Sequence, residues 1–192
     1  MRMLKLTMLS HALLFFAISC LSVAGASDAY PINDRQGPAT SETFSLYAYG
    51  EGISGLPVFY ADGKAQVGDP KLSTAKVTEE VYFTVSPASP NTWIAHPKKE
   101  AASFGSVVLT LPSGGSAAGD VLFKPETSQL VESDTASVFS VYGNYVLINT
   151  VGANFYAEKT DVDGVWDLVW SDSGSGYVAI ALRTIAPSTE AV

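Results

Sequence analysis

The amino-acid sequence predicts an all-β domain, an antiparallel two-sheet β-sandwich of about twelve short strands, and three observations carry that prediction. From Thr43 onward, short runs rich in β-branched and aromatic residues recur, each ended by Gly, Pro, Asn or Asp. No window shows the apolar period of about 3.6 residues that an amphipathic helix requires. Within single runs, apolar and polar residues alternate with the period of two that sends successive side chains to opposite faces of a strand. The same strands could form three four-stranded units closing into a β-trefoil barrel. No clear internal repeat is present, which favours the sandwich.

The expected strands are residues 43–49, 56–61, 64–68, 77–86, 92–96, 106–111, 120–124, 137–142, 145–150, 154–159, 164–170 and 177–185. Asp62-Gly63 between PVFYA and KAQVG suits a tight primed turn, whose positive φ values match the twist of the flanking strands. Gly143-Asn144 between SVFSVY and YVLINT is a signal of the same kind, and Asp163-Gly164 frames the last pair of strands. In 165–170, Trp166, Leu168 and Trp170 share one face, opposite Val165, Asp167 and Val169. In 178–183, Val178, Ile180 and Leu182 oppose Ala179, Ala181 and Arg183. Each strand is expected to have one rich face, as two packed sheets require.

Ahead of this domain, Arg2 and Lys5 precede an almost wholly apolar run from Leu6 to Val23, followed by Ala24-Gly25-Ala26. That is the pattern of a secretory signal peptide, and residues 1–26 are expected to be removed. Residues 27–42 read as an extended lead-in, 43–186 as one all-β domain, and 187–192 as a flexible tail. Removal of 1–26 takes the only cysteine, Cys20, together with His11. It leaves nine Lys and Arg against nineteen Asp and Glu, a net charge of −10 in place of −8. The product is expected to be secreted, extracellular and free of any membrane.

These losses exclude whole classes of chemistry. Thiol catalysis and cysteine-ligated zinc or iron–sulfur sites lack their ligand. Multi-histidine metal sites are excluded because His96 is the one imidazole left. No G-x-S-x-G elbow accompanies it, so His96 reads as a solvated residue where a strand runs into the loop Pro97-Lys98-Lys99. Nucleic acid is disfavoured by the negative field and by having only Arg35 and Arg183 as arginines. No cofactor is expected.

Three constellations remain as candidates. Paired carboxylates could serve a glycosidase, but Glu79 and Glu80 are adjacent and point to opposite faces of a strand. Asp161, Asp163 and Asp167 surround Gly164 and could hold calcium, although the spacing is not that of an EF-hand and a hairpin turn with acids facing water is the plainer reading. Exposed aromatic faces could stack on sugar rings, with Trp93, Tyr47, Tyr49, Tyr60 and Tyr177 as candidate platform members. Trp166 and Trp170 read as core, where large aromatics contribute most.

The segments FSLYAYGEGISGLPVFYADGKAQVGD at 44–69, GVWDLVW at 164–170 and VAIALRTIAP at 178–187 resemble a widespread group of small secreted fungal proteins, candidate effectors of plant-associated fungi. The resemblance covers most of the chain after residue 26. It implies a fungal, extracellular setting and brings no catalytic motif with it. The function expected is that of a non-enzymatic binding protein whose partner is an extracellular host protein, one version being inhibition of a host protease by exposed loops. The loops for that role are 50–56, 86–92 and 112–119. The alternatives are a cell-wall polysaccharide binder using Tyr and Trp, and a small glycoside hydrolase.

Overall fold

In the computed structural model of the chain, the residues described are 42–100, 102–112, 118–126, 134–149 and 152–188. The expected signal peptide, the lead-in to residue 41, most of the loop 112–119 and residues 189–192 lie outside them. The described residues belong to one compact unit, 34–192.

Their order along the chain is β1 (Tyr47–Gly50), β2 (Ile53–Ala61), β3 (Lys64–Gly68), β4 (Thr78–Ser86), β5 (Ser89–Pro97), β6 (Val107–Pro112) and β7 (Gly119–Asp120). There follow β8 (Leu122–Pro125), β9 (Asp134–Thr135), β10 (Phe139–Tyr142), β11 (Tyr145–Ile148), β12 (Asn154–Lys159), β13 (Val165–Ser171) and β14 (Val178–Arg183). No helix occurs among the described residues. The domain is all-β and its pairings are antiparallel, as the sequence predicts. The strand expected at 120–124 is divided into β7 and β8, and the two-residue strand β9 is additional.

Hydrogen bonding joins the fourteen strands into one sheet that wraps round on itself. The wrapping turns on β2, whose first half pairs with β1 through Ile53 to Pro57. Its second half lies between β3 and β4 through Val58 to Ala61. Pairing therefore closes through β1, β2, β3, β13, β12 and β14, and again through β2, β4, β5, β6, β8 and β3.

Local chemistry explains the hairpins. Asp62 and Gly63 adopt φ of 48° and 89°, so both turn residues are left-handed. Asp62 is held there because its two carboxylate oxygens accept the backbone N–H groups of Lys76 and Val77, each at 2.8 Å. Gly143, with φ 62°, makes the two-residue turn between β10 and β11, setting Tyr142 directly across from Tyr145.

The core is aromatic at its centre. Trp93 meets Phe44 edge-on and stacks with Phe139, both at 5.0 Å between centroids. Phe44 and Phe83 stack at 5.8 Å. Fully burying one such side chain contributes about 1.5–3 kcal/mol. The expectation of one rich face per strand needs correcting at β13. Leu168 and Trp170 are buried on one side, and Val165 and Val169 on the other. The strand lies between β12 and β3 with protein against both faces, so both are apolar.

Candidate functional site

The site grows from the alternation along β14. Leu182 points inward and is buried, so Arg183 points outward. On one side, β1 places Tyr47 across from Arg183 and Tyr49 across from Ala181. On the other, β11 places Tyr145 across from Arg183, and the hairpin adds Tyr142 beyond it. Cross-strand neighbours share a face, so one outer surface carries Tyr47, Tyr49, Arg183, Tyr145 and Tyr142.

The Arg183 guanidinium is held between two rings, 5.1 Å from the Tyr49 centroid and 4.7 Å from that of Tyr145. The Tyr49 hydroxyl donates to the Ile185 carbonyl at 2.9 Å, which fixes its ring. Arg183 Nε is buried with no hydrogen-bond partner. Five large hydrophobic residues are exposed among those described, and four of them ring this arrangement: Tyr142 at 68%, Tyr145 at 48%, Leu147 at 47% and Ile185 at 47%. Apolar exposure among the described residues is thus concentrated at this face rather than scattered.

Two hollows flank the stack. One, of about 660 Å³, is lined by Arg183, Tyr49, Ser54, Ile185, Pro187 and Ser188. The other, of about 600 Å³, opens where β11 and β14 part, because their ladder consists of the single pair Tyr145 and Arg183. Its rim carries Tyr145 and Leu147, and its floor reaches Phe155, Trp170 and Leu182 in the core.

The structure brings together Tyr47 and Tyr49 of the aromatic candidates and disperses the rest. Trp93 is 1% exposed, so its proposed role as a surface platform is corrected: β5 turns it inward onto Phe44 and Phe139. Tyr60 is corrected likewise, since Phe104 stacks on its ring at 3.9 Å. Burial, with the Asp62 charge second, raises its hydroxyl pKa. Tyr177 packs beside Tyr156, at 6.0 Å, and lines neither hollow.

The carboxylates are engaged elsewhere. Asp167 accepts from Gln66 at 2.7 Å and meets Lys64 at 3.3 Å, while Asp163 pairs with Lys159 at 3.4 Å. Lys64 also reaches Asp120 at 2.8 Å, and that hydrogen bond is the main reason its pKa is raised. Among the described residues, no three His, Cys, Asp or Glu side chains are placed to share a metal ion, so Asp161, Asp163 and Asp167 do not form a calcium site. Glu80 pairs with Lys98 at 2.9 Å. Glu79 meets Lys99 at 3.3 Å through Oε1, an ion pair without hydrogen-bond geometry, since that buried oxygen has no hydrogen-bonding donor.

His96 is not the solvated loop residue expected. It sits within β5, half-buried, with Nε2 2.8 Å from the Thr84 hydroxyl and Nδ1 2.9 Å from that of Ser106. Burial lowers its pKa, opposed by the Glu126 charge. The loops are corrected as well. Residues 53–56 belong to β2 and 89–92 to β5, leaving only short turns at 51–52 and 87–88.

Sequence reasoning missed Tyr142, Tyr145 and Arg183 as site residues. The signal available was the alternation that set Arg183 opposite Leu182. Comparison with known proteins adds no relative: no family model, curated protein or solved structure matches the chain.

Proposed function

We propose that this chain is a non-enzymatic binding protein acting outside the cell, and that its contact surface is the outer face of β1, β14, β11 and β10. The observation that supports this reading is the Arg183 guanidinium held between Tyr49 and Tyr145 amid exposed Tyr142, Leu147 and Ile185. Tyr and Arg are the residues over-represented among those that dominate binding energy in protein interfaces, because each offers large contact area with a polar end. The cation-bearing start and apolar run before Ala24-Gly25-Ala26 support export. The resemblance to secreted fungal proteins supports a host protein as partner. The surface is borne on strands, so it is ordered before binding and loses little entropy on contact.

The cross-strand pair Tyr142 and Tyr145 favours one second reading, stacking on a wall polysaccharide. Both are tested by incubating the tagged full chain and its Tyr142→Ser/Tyr145→Ser variant with host apoplastic fluid, and separately with chitin, β-glucan and xylan. The expected result is an extracellular protein retained by the parent and lost from the variant, with no polymer retention. Retention on a polymer alone establishes the second reading, and equal retention by both chains overturns the assignment of this face.

A further inference from the structure

The cation at the centre of this face lies in an acidic chain and, like Lys71 and Lys76, has no ion pair among the described residues. Acids outnumber bases, for a net charge of −8, and Lys64, Lys98, Lys99 and Lys159 each have a carboxylate within 3.4 Å. Arg183 is the only arginine among the described residues, and no ion pair or hydrogen bond of its side chain occurs among them. Holding a guanidinium between two rings restricts the fork of donors that pairs with a planar carboxylate. It therefore stands preorganised for an acceptor that the described part of the chain does not supply.

The neighbouring crevice has the opposite character. Its floor of Phe155, Trp170, Ile180 and Leu182 is apolar, so it suits an aliphatic or aromatic side chain. The hydrogen-bonding groups of the crevice, Asn149, Asn154 and the two tyrosines, are exposed at its mouth, so a sugar ring pressed onto the floor would leave hydroxyls unpaired there at about 1–3 kcal/mol each. Tyr145 joins the two features, because it lines the crevice and its ring centroid stands 4.7 Å from the Arg183 guanidinium. Extended chain advances about 3.3 Å per residue, so a ligand engaging both carries its two groups within about two residues of each other.

On the reading of this face as a contact surface, we infer that its partner is a protein segment presenting an Asp or Glu to Arg183 and, within two residues, an apolar side chain to the β11–β14 crevice. The acidic field of the rest of the molecule repels further negative charge over roughly 8 Å at physiological ionic strength. The recognised acid therefore stands alone in a neutral or basic segment.

The test is selection of a random twelve-residue peptide library on the full chain, on Arg183→Gln and on Arg183→Lys, with thermal unfolding confirming that each is folded. The parent is expected to enrich peptides with one Asp or Glu within two residues of Leu, Ile, Phe or Trp, and Arg183→Gln to lose them. Synthetic capped versions with the acid changed to its amide should bind the parent at least tenfold more weakly and bind Arg183→Gln no differently from the acid form. Arg183→Lys keeps the charge without the planar fork and should fall between the two. The inference is overturned by a failure to enrich any peptide, by enriched peptides without the acid, by equal binding of acid and amide forms, or by oligogalacturonate displacing the peptides at lower concentration. If a host protein is captured through Tyr142 and Tyr145 while the acid proves irrelevant, the contact face stands and only this inference falls.

Discussion

Replacing Arg183 with Met separates binding from folding. The Met side chain keeps most of the apolar stem and removes the guanidinium. Two losses follow, the contacts to the Tyr49 and Tyr145 rings, each worth about 0.5–1 kcal/mol at a partly exposed site. One gain opposes them: Nε, buried without a partner, carries a desolvation penalty of about 1–3 kcal/mol that disappears with it. The two terms are of similar size and opposite sign, so the net change should lie between about 1 kcal/mol of destabilisation and about 2 kcal/mol of stabilisation. For a domain of this size each kcal/mol is a shift in Tm of about 2–4 °C. Urea unfolding followed by tryptophan fluorescence, with thermal unfolding by circular dichroism, measures it, and partner capture is assayed on the same preparation. The expected outcome is near-parental stability with capture lost. A destabilisation above about 3 kcal/mol would show that the guanidinium holds the fold together through interactions beyond those counted, and the argument for a binding role would fail.

Three other perturbations have defined outcomes. Trp93→Ala should destabilise by about 3–5 kcal/mol in urea unfolding, the range for a buried aromatic whose neighbours cannot collapse into the space; a loss below 1 kcal/mol would place that ring outside the core. Asp62→Ala removes the acceptor for the Lys76 and Val77 N–H groups in an exposed turn and should cost about 1–2 kcal/mol, with Asp62→Asn recovering part of it. A matching loss in Asn would point to charge rather than hydrogen bonding. His96 has a folded pKa below its ordinary value of about 6.5, so the unfolded chain binds the proton more strongly. Its contribution is therefore present above about pH 6.5 and lost as pH falls from there towards the lower folded pKa. The parent should lose more urea stability between pH 7.5 and 5 than His96→Gln does, and identical slopes would contradict the burial argument.

Much of the fold was legible from local chemistry. Asp62-Gly63 and Gly143-Asn144 identify their turns because few dipeptides accept positive φ, and a turn of fixed length sets the register of the strands it joins. Strand boundaries for β3 and β12 coincide with those expected, since both are bounded by turn residues. Length was misjudged where punctuation misled. The loop expected at 50–56 is strand from Ile53 onward, and Gly55 lies inside β2 with φ 74° and Pro187 packed over its open side. Trp93 is a platform candidate by residue type alone; its inward direction depends on Phe44 and Phe139, which stand 49 and 46 positions away.

Alternation alone determined that Arg183 and Leu182 face opposite ways, and composition alone determined that the chain is acidic, poor in histidine and without thiol chemistry once residues 1–26 are set aside. Which residues surround Arg183 was decided only in three dimensions. Tyr47 and Tyr49 come from the first strand and Tyr145 from the eleventh, and β14 lies between them because the sheet wraps round to pair β1 with β14. A strand's pattern states which side chains share a face but not which strand lies beside it. That choice is made by the core as a whole, through contacts far apart in the chain, and the proposed contact face exists only after it has been made.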